Sequence, residues 1–139
     1  MKHLKKFNES INREELQDFC DTYLAYLLDN DEFKVYVSRH STAISLVKGR
    51  REEYKALNSP EFIFTWDEIK DYFIPFLHML SKQSPITRIK FWNLNRRFDP
   101  NKLDGIGNDL YLDYDYDLSM VLDDKVSLEQ ITQINIYLK

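Results

Sequence analysis

Apolar residues recur every three or four positions from Leu16 to Leu28, through Phe19, Cys20, Tyr23, Leu24 and Leu27, which is the spacing of one face of an α-helix. The pattern predicts a helix from about Arg13 to Leu28. Asn12 stands at its N-cap, and Glu15 three residues later forms a capping-box-like pair in which each side chain satisfies an otherwise orphan amide. The period then shortens to two. Phe33, Val35 and Val37 alternate with Lys34, Tyr36 and Ser38, and after His40-Ser41-Thr42 a second alternating run around Ile44 and Leu46 reads as the return strand of a hairpin.

From Gly49 to Pro60 the chain is charged and aperiodic, a loop or an extended hairpin tip. Phe62-Ile63-Phe64 leads into Thr65-Trp66-Asp67-Glu68, a capping box that starts a second helix at Trp66. Trp66, Ile69, Phe73, Phe76, Leu77 and Leu80 form its inner face. The helix is expected to end near Lys82 and to kink at Pro75, which removes a backbone donor and presses on the carbonyl of Asp71. Ile86 to Trp92 alternates as a half-buried strand. Leu110 to Leu118 alternates again, with Leu and Tyr on one side and Tyr111, Asp113, Asp115 and Asp117 on the other. Ser127 to Gln130 suggests a short capped helical turn, and Ile134, Ile136 and Leu138 mark a final strand. The predicted class is α+β: two helices packed on one face of a mostly antiparallel sheet of about five strands.

Composition fits that picture. The 139 residues, 43% apolar and 14% aromatic, are globular in character and suffice for one core, with residues 12–139 expected to form a single α+β domain behind a basic arm, residues 1–11. No stretch approaches the length of apolar residues that spans a bilayer, so no membrane role is expected and the chain reads as soluble. The one cysteine, Cys20, lies on the apolar helical stripe and reads as a buried thiol. Charge is uneven: residues 98–139 hold nine acidic and three basic side chains, an acidic surface in a chain whose net charge is −4.

The opening Met1-Lys2-His3-Leu4-Lys5-Lys6-Phe7-Asn8-Glu9-Ser10-Ile11 resembles the basic leader, ending in Phe-x-Glu, of many uncharacterised tailed-bacteriophage proteins, and loosely the capsid-targeting leaders of internal head proteins. The resemblance implies cleavage by a maturation protease between Glu9 and Ser10. The run Phe64 to Leu77 is similar to a segment of phage proteins of unknown function. Together they imply a phage-encoded product located in the host cytoplasm or in the virion.

Candidate chemistry is sparse. Asp113, Asp115 and Asp117, about 7 Å apart along one strand face, offer oxygen ligands for a hard divalent ion. Carboxylates on a straight strand point in parallel, however, and the preferred reading is a solvated acidic face that discourages edge pairing. The stretch Asp99 to Asp109 fails as a calcium loop because Asp104 stands where the glycine must be, and Gly105-Ile106-Gly107 is too short for a dinucleotide fingerprint. It reads as a turn-rich loop. His3, His40 and His78 are far apart, with no partner at a zinc-ligand spacing. No serine, cysteine or threonine stands in a recognisable nucleophile setting. Basic clusters occur at Lys48-Gly49-Arg50-Arg51 and at Arg88, Lys90, Arg96 and Arg97, the latter bracketing Trp92, a combination suited to phosphate contacts and base stacking.

The sequence thus favours a non-enzymatic accessory protein, without cofactor, that engages a phage or host protein through its acidic last third. Two alternatives stand beside it: nucleic-acid binding by Arg88, Lys90, Trp92, Arg96 and Arg97, and a metal-dependent enzyme centred on Asp113, Asp115 and Asp117.

Overall fold

The computed structural model describes residues 12–29, 33–48, 63–98 and 106–139, with the backbone alone over 94–98 and 106–112. In chain order its elements are α1 (Arg13–Tyr23), α2 (Ala25–Leu28), β1 (Phe33–Val37), β2 (Ala43–Lys48), α3 (Trp66–Gln83), β3 (Ile86–Phe98), β4 (Ile106–Tyr116), α4 (Leu118–Leu122) and β5 (Gln133–Leu138). The α+β class expected from the alternation is the class observed. The five strands form one antiparallel sheet in the order β1-β2-β5-β3-β4.

The last strand is therefore the central one. Within the sheet, the hairpins β1-β2 and β3-β4 are joined by β5, which pairs Ile134 with Leu46 on one side and with Phe91 on the other. Among the described side chains, the buried apolar residues that face the helices are Phe33, Val35 and Val37 from β1, Ile44 and Leu46 from β2, Ile89 and Phe91 from β3, and Ile134, Ile136 and Leu138 from β5. On the facing layer, α3 contributes Trp66, Ile69, Phe73, Phe76, Leu77 and Leu80, α1 contributes Leu16 and Cys20, and α4 contributes Val121. Burying one such phenylalanine stabilises the fold by about 2–3 kcal/mol, whereas a partly exposed ion pair adds about 0–1 kcal/mol. The Lys48–Glu68 pair at 3.4 Å is thus a minor tie between β2 and α3 beside the apolar contacts.

Both predicted N-cap bonds form, while the Glu68 side chain, expected to close the second capping box, pairs with Lys48. Asn12 Oδ1 accepts from Glu15 N at 2.8 Å while Asn12 Nδ2 donates to Glu15 Oε1 at 2.6 Å, and Thr65 Oγ1 accepts from Glu68 N at 3.2 Å. The first predicted helix is split at Leu24, whose backbone (φ −108°, ψ 14°) leaves the helical region while its N–H still reaches the Cys20 carbonyl. The second runs unbroken through Pro75 as α3. Pro75 and Asp71 both lie on the exposed side, where water can satisfy the Asp71 carbonyl that loses its donor.

Three local expectations are corrected. Ser127 to Gln130 form no helical turn, because Leu128 O accepts from Trp66 N and the neighbouring Ile131 forms a bridge with Phe64. The helical turn comes earlier, at α4, which takes Leu118 out of the predicted strand. Within the expected loop, Ile106 to Asp109 belong to β4, with Phe98 opposite Ile106 and Arg96 opposite Asp109. Residues 99–105 and the charged stretch 49–62 lie outside the described residues.

The turn after α4 is pinned to the start of α3. Asp124, at a positive φ of 57°, accepts from Trp66 Nε1 at 2.7 Å and from Lys70 Nζ at 3.2 Å. The indole N–H first, and then the Lys70 ammonium, hold the Asp124 carboxyl below its ordinary value of 3.8. A carboxylate whose pKa is lowered by folding stabilises the fold above its unfolded value and loses that contribution as pH falls through the folded one. Acid titration of thermal stability should therefore show a loss below pH 3.8 that Asp124→Asn removes. An unchanged acid limb in the variant would contradict the assignment.

Candidate functional site

The helices cover one face of the sheet, and the other face collects the alternate residues of each strand, mostly polar, with Val47 buried among them. Because Ile89 and Phe91 point to the core, Arg88, Lys90 and Trp92 point the opposite way. Pairing then sets two rows across the sheet: Tyr36, Ser45, Asn135, Lys90 and Asp115, and beside it Lys34, Val47, Gln133, Trp92 and Asp113. A third, shorter row places Tyr137 beside Arg88. The strand-face residues of the basic and acidic candidates thus share one surface, which the sequence did not reveal.

That juxtaposition changes what either set can do. Lys90 Nζ lies 3.8 Å from Asp113 Oδ2 and 4.0 Å from Asp115 Oδ2, and 5.3 Å from the centre of the Trp92 ring. The Arg88 guanidinium sits 4.5 Å over the Tyr137 ring. A phosphate approaching this face meets an ammonium already bracketed by two carboxylates, and a divalent cation approaching the carboxylates meets the ammonium. Arg96 and Arg97 lie on β3 by backbone position, Arg97 falling at the register shift between Arg96 and Phe98.

Asp117 does not share the strand face of Asp113 and Asp115. It lies just beyond β4, at the N-cap of α4. Among the described residues no group of three or more histidine, cysteine or acidic side chains is arranged to hold a metal ion. Lys48 lies on the helix side, 5.8 Å over Phe33 and paired with Glu68. The rest of its basic cluster, and Glu9 and Ser10 of the proposed cleavage point, fall outside the described residues. His40 and His78 are exposed, the first in the turn between β1 and β2 and the second on α3.

Sequence reasoning missed the contribution of β5. Gln133, Asn135 and Tyr137 complete the polar face and hold it together: Asn135 Oδ1 accepts from Ser45 Oγ at 2.8 Å and from Gln133 Nε2 at 2.6 Å, and Asn135 Nδ2 donates to Tyr137 Oη at 3.2 Å. The signal was present in the alternation of Gln133, Asn135 and Tyr137 with Ile134, Ile136 and Leu138, but only the central place of β5 brings these side chains beside Lys90 and Trp92.

The two edges of the sheet differ. At β1, α1 lies alongside, and Arg13 Nε and Gln17 Nε2 donate to the carbonyls of Val37 and Val35 at 3.1 and 3.2 Å. At β4, Asp113 and Asp115 are about half exposed on one face, and Tyr114 is 39% exposed on the other. A surface hollow of about 290 Å³ near the β1 edge is lined by Asp21, Ala25, Leu28, Asp29, Phe33, Lys34 and Val35, none of them a candidate from the sequence.

Cys20 is buried against the core as the stripe implied, and burial, more than the nearby Asp21 charge, pushes its thiol up to about 12. A thiol that stays neutral in the fold but ionises near 9.0 when unfolded makes stability fall as pH rises past that value. An aromatic disulfide reagent at pH 8 should label Cys20 only after denaturant is added. Rapid labelling of the native protein would show the thiol to be accessible. Among the described residues no helix is long and apolar enough to cross a membrane.

Compared with protein-family models, curated proteins and solved structures, the chain matches none of them.

Proposed function

We propose that this chain is a small phage-encoded accessory or virion-associated protein that acts by protein contacts, made chiefly by its acidic last third, and is not an enzyme. The observation that carries the reading is the β4 edge, where two half-exposed carboxylates and an exposed tyrosine occupy opposite faces of one strand. Strand edges with a charged and an aromatic face suit a polypeptide partner, which can satisfy both the edge amides and the side chains. The basic leader resembling those of tailed-phage proteins supports an origin in a phage and a destination in the host cytoplasm or the particle.

A second reading, single-stranded nucleic-acid binding, is favoured by the grouping of Arg88, Lys90 and Trp92 with Tyr137 on one sheet face, although Trp92 is only partly exposed and its Nε1 is buried. Ion pairing of Lys90 to Asp113 and Asp115 weighs against it. Two measurements separate the readings. Mass spectrometry of purified particles should find the chain in a fixed ratio to a structural protein, and a single-stranded DNA column at low salt should not retain it. Salt-sensitive retention on that column, weakened by Lys90→Ala and by Trp92→Ala, would replace the first reading with the second.

A further inference from the structure

We propose that the outer edge of β4 receives an extended basic segment of a partner protein, which adds as a sixth strand with lysine or arginine side chains over Asp113 and Asp115; the proposal rests on the protein-contact reading above. Four observations lead there. The sheet ends at β4, and among the described residues no strand or side chain occupies the outer side of Asp113 to Tyr116, whereas the opposite edge is blocked by Arg13 and Gln17. An edge strand turns every second N–H and C=O outward, which is a template for one more strand.

Charge selects the occupant. Lys90 approaches Asp113 and Asp115 from the β3 side and supplies one positive charge to two carboxylates, leaving the outer side negative. The carboxylates stand about 7 Å apart along the strand, the repeat of alternate residues in an incoming strand, so a Lys-x-Lys pattern matches them one to one. A second copy of this chain pairing through the same edge would set acidic β4 against acidic β4, which like-charge repulsion disfavours. The opposite face supplies the remaining specificity. Tyr114 is exposed there beside Tyr116, which packs edge-on against Phe91 at 5.1 Å, so the residues between the lysines should be apolar.

The test uses the full chain and a fluorescent peptide of about nine residues alternating lysine with valine, a length typical of strands. Three comparisons accompany it: glutamate in place of lysine, backbone N-methylation of every second residue with all charges kept, and the Asp113→Asn/Asp115→Asn variant of the protein. The alternating peptide should bind and slow amide exchange at Asp113 to Tyr116, while each of the three changes should weaken binding about tenfold or more. Because N-methylation alters only the peptide, that arm stands even if the protein variant is poorly folded. Equal binding of the N-methylated peptide would reduce the effect to charge alone and overturn the proposal. So would equal binding of the glutamate peptide, slowed exchange at β1 instead of β4, self-association through β4, or no binding. Any of these in a chain still found in particles at a fixed ratio defeats the edge and spares the protein-contact reading, whereas retention on single-stranded DNA defeats that reading itself.

Discussion

Ile134→Lys should abolish cooperative folding, while Tyr36→Lys should change stability by no more than about 0.5 kcal/mol. Both positions lie on strands, and the substituted residue is the same. Ile134 is fully buried, facing the helices from the central strand, with Leu46 and Phe91 as its register partners. An ammonium placed there has no carboxylate within the apolar cluster, and stranding an unpaired charge in a core costs several kcal/mol, a large part of the roughly 5–15 kcal/mol that stabilises a domain. The damage reaches further than one contact, because β5 lies between the two hairpins in the sheet. Tyr36 is 51% exposed on the polar face, where a lysine keeps its head in water. Chemical denaturation followed by circular dichroism reads both. A folded Ile134→Lys protein would place that residue outside the core.

The second large effect is expected at Phe91. It is fully buried on β3, packs edge-on against Trp66 at 5.8 Å and against Tyr116 at 5.1 Å, and so ties α3 to the β4 side of the sheet. Phe91→Ala should cost about 3–5 kcal/mol through lost transfer energy and the cavity left behind. Phe91→Leu should recover about half of that, since most of the volume returns without the ring contacts. Near-ultraviolet dichroism should change as well, because Trp66 loses one of its edge-on neighbours and keeps Phe73. A loss below about 1 kcal/mol for the alanine variant would mean that the helix layer does not rest on this residue.

How far the fold was legible follows from the range of each interaction. The caps at Asn12 and Thr65 depend on residues three apart, and the alternation of β1, β2 and β5 on residues two apart, so both could be read directly. The insertion of β5 between β2 and β3 depends on pairings across some ninety positions, such as Ser45 with Asn135, which no local period encodes. The break at Leu24 and the short α4 were missed for a related reason: a buried Leu24 fits an unbroken stripe as well as a joint, and five residues are too few to establish a helical period.

The candidate site was legible only by halves. Arg88, Lys90 and Trp92 were rightly placed on one strand face, and Asp113 and Asp115 on another, but whether the two faces were the same depended on register. With Lys90 opposite Asp115 and Trp92 opposite Asp113, the two candidate chemistries offset each other on the inner side of β4.

Residue-resolved amide hydrogen exchange on the isolated protein tests this account most directly. Ile134 and Ile136 in β5, bonded on both sides, should exchange only with global unfolding, whereas Asp113 to Tyr116 should alternate, every second amide exchanging fast because it faces solvent. Uniformly slow exchange along Asp113 to Tyr116 in the monomer would show that the β4 edge is already covered.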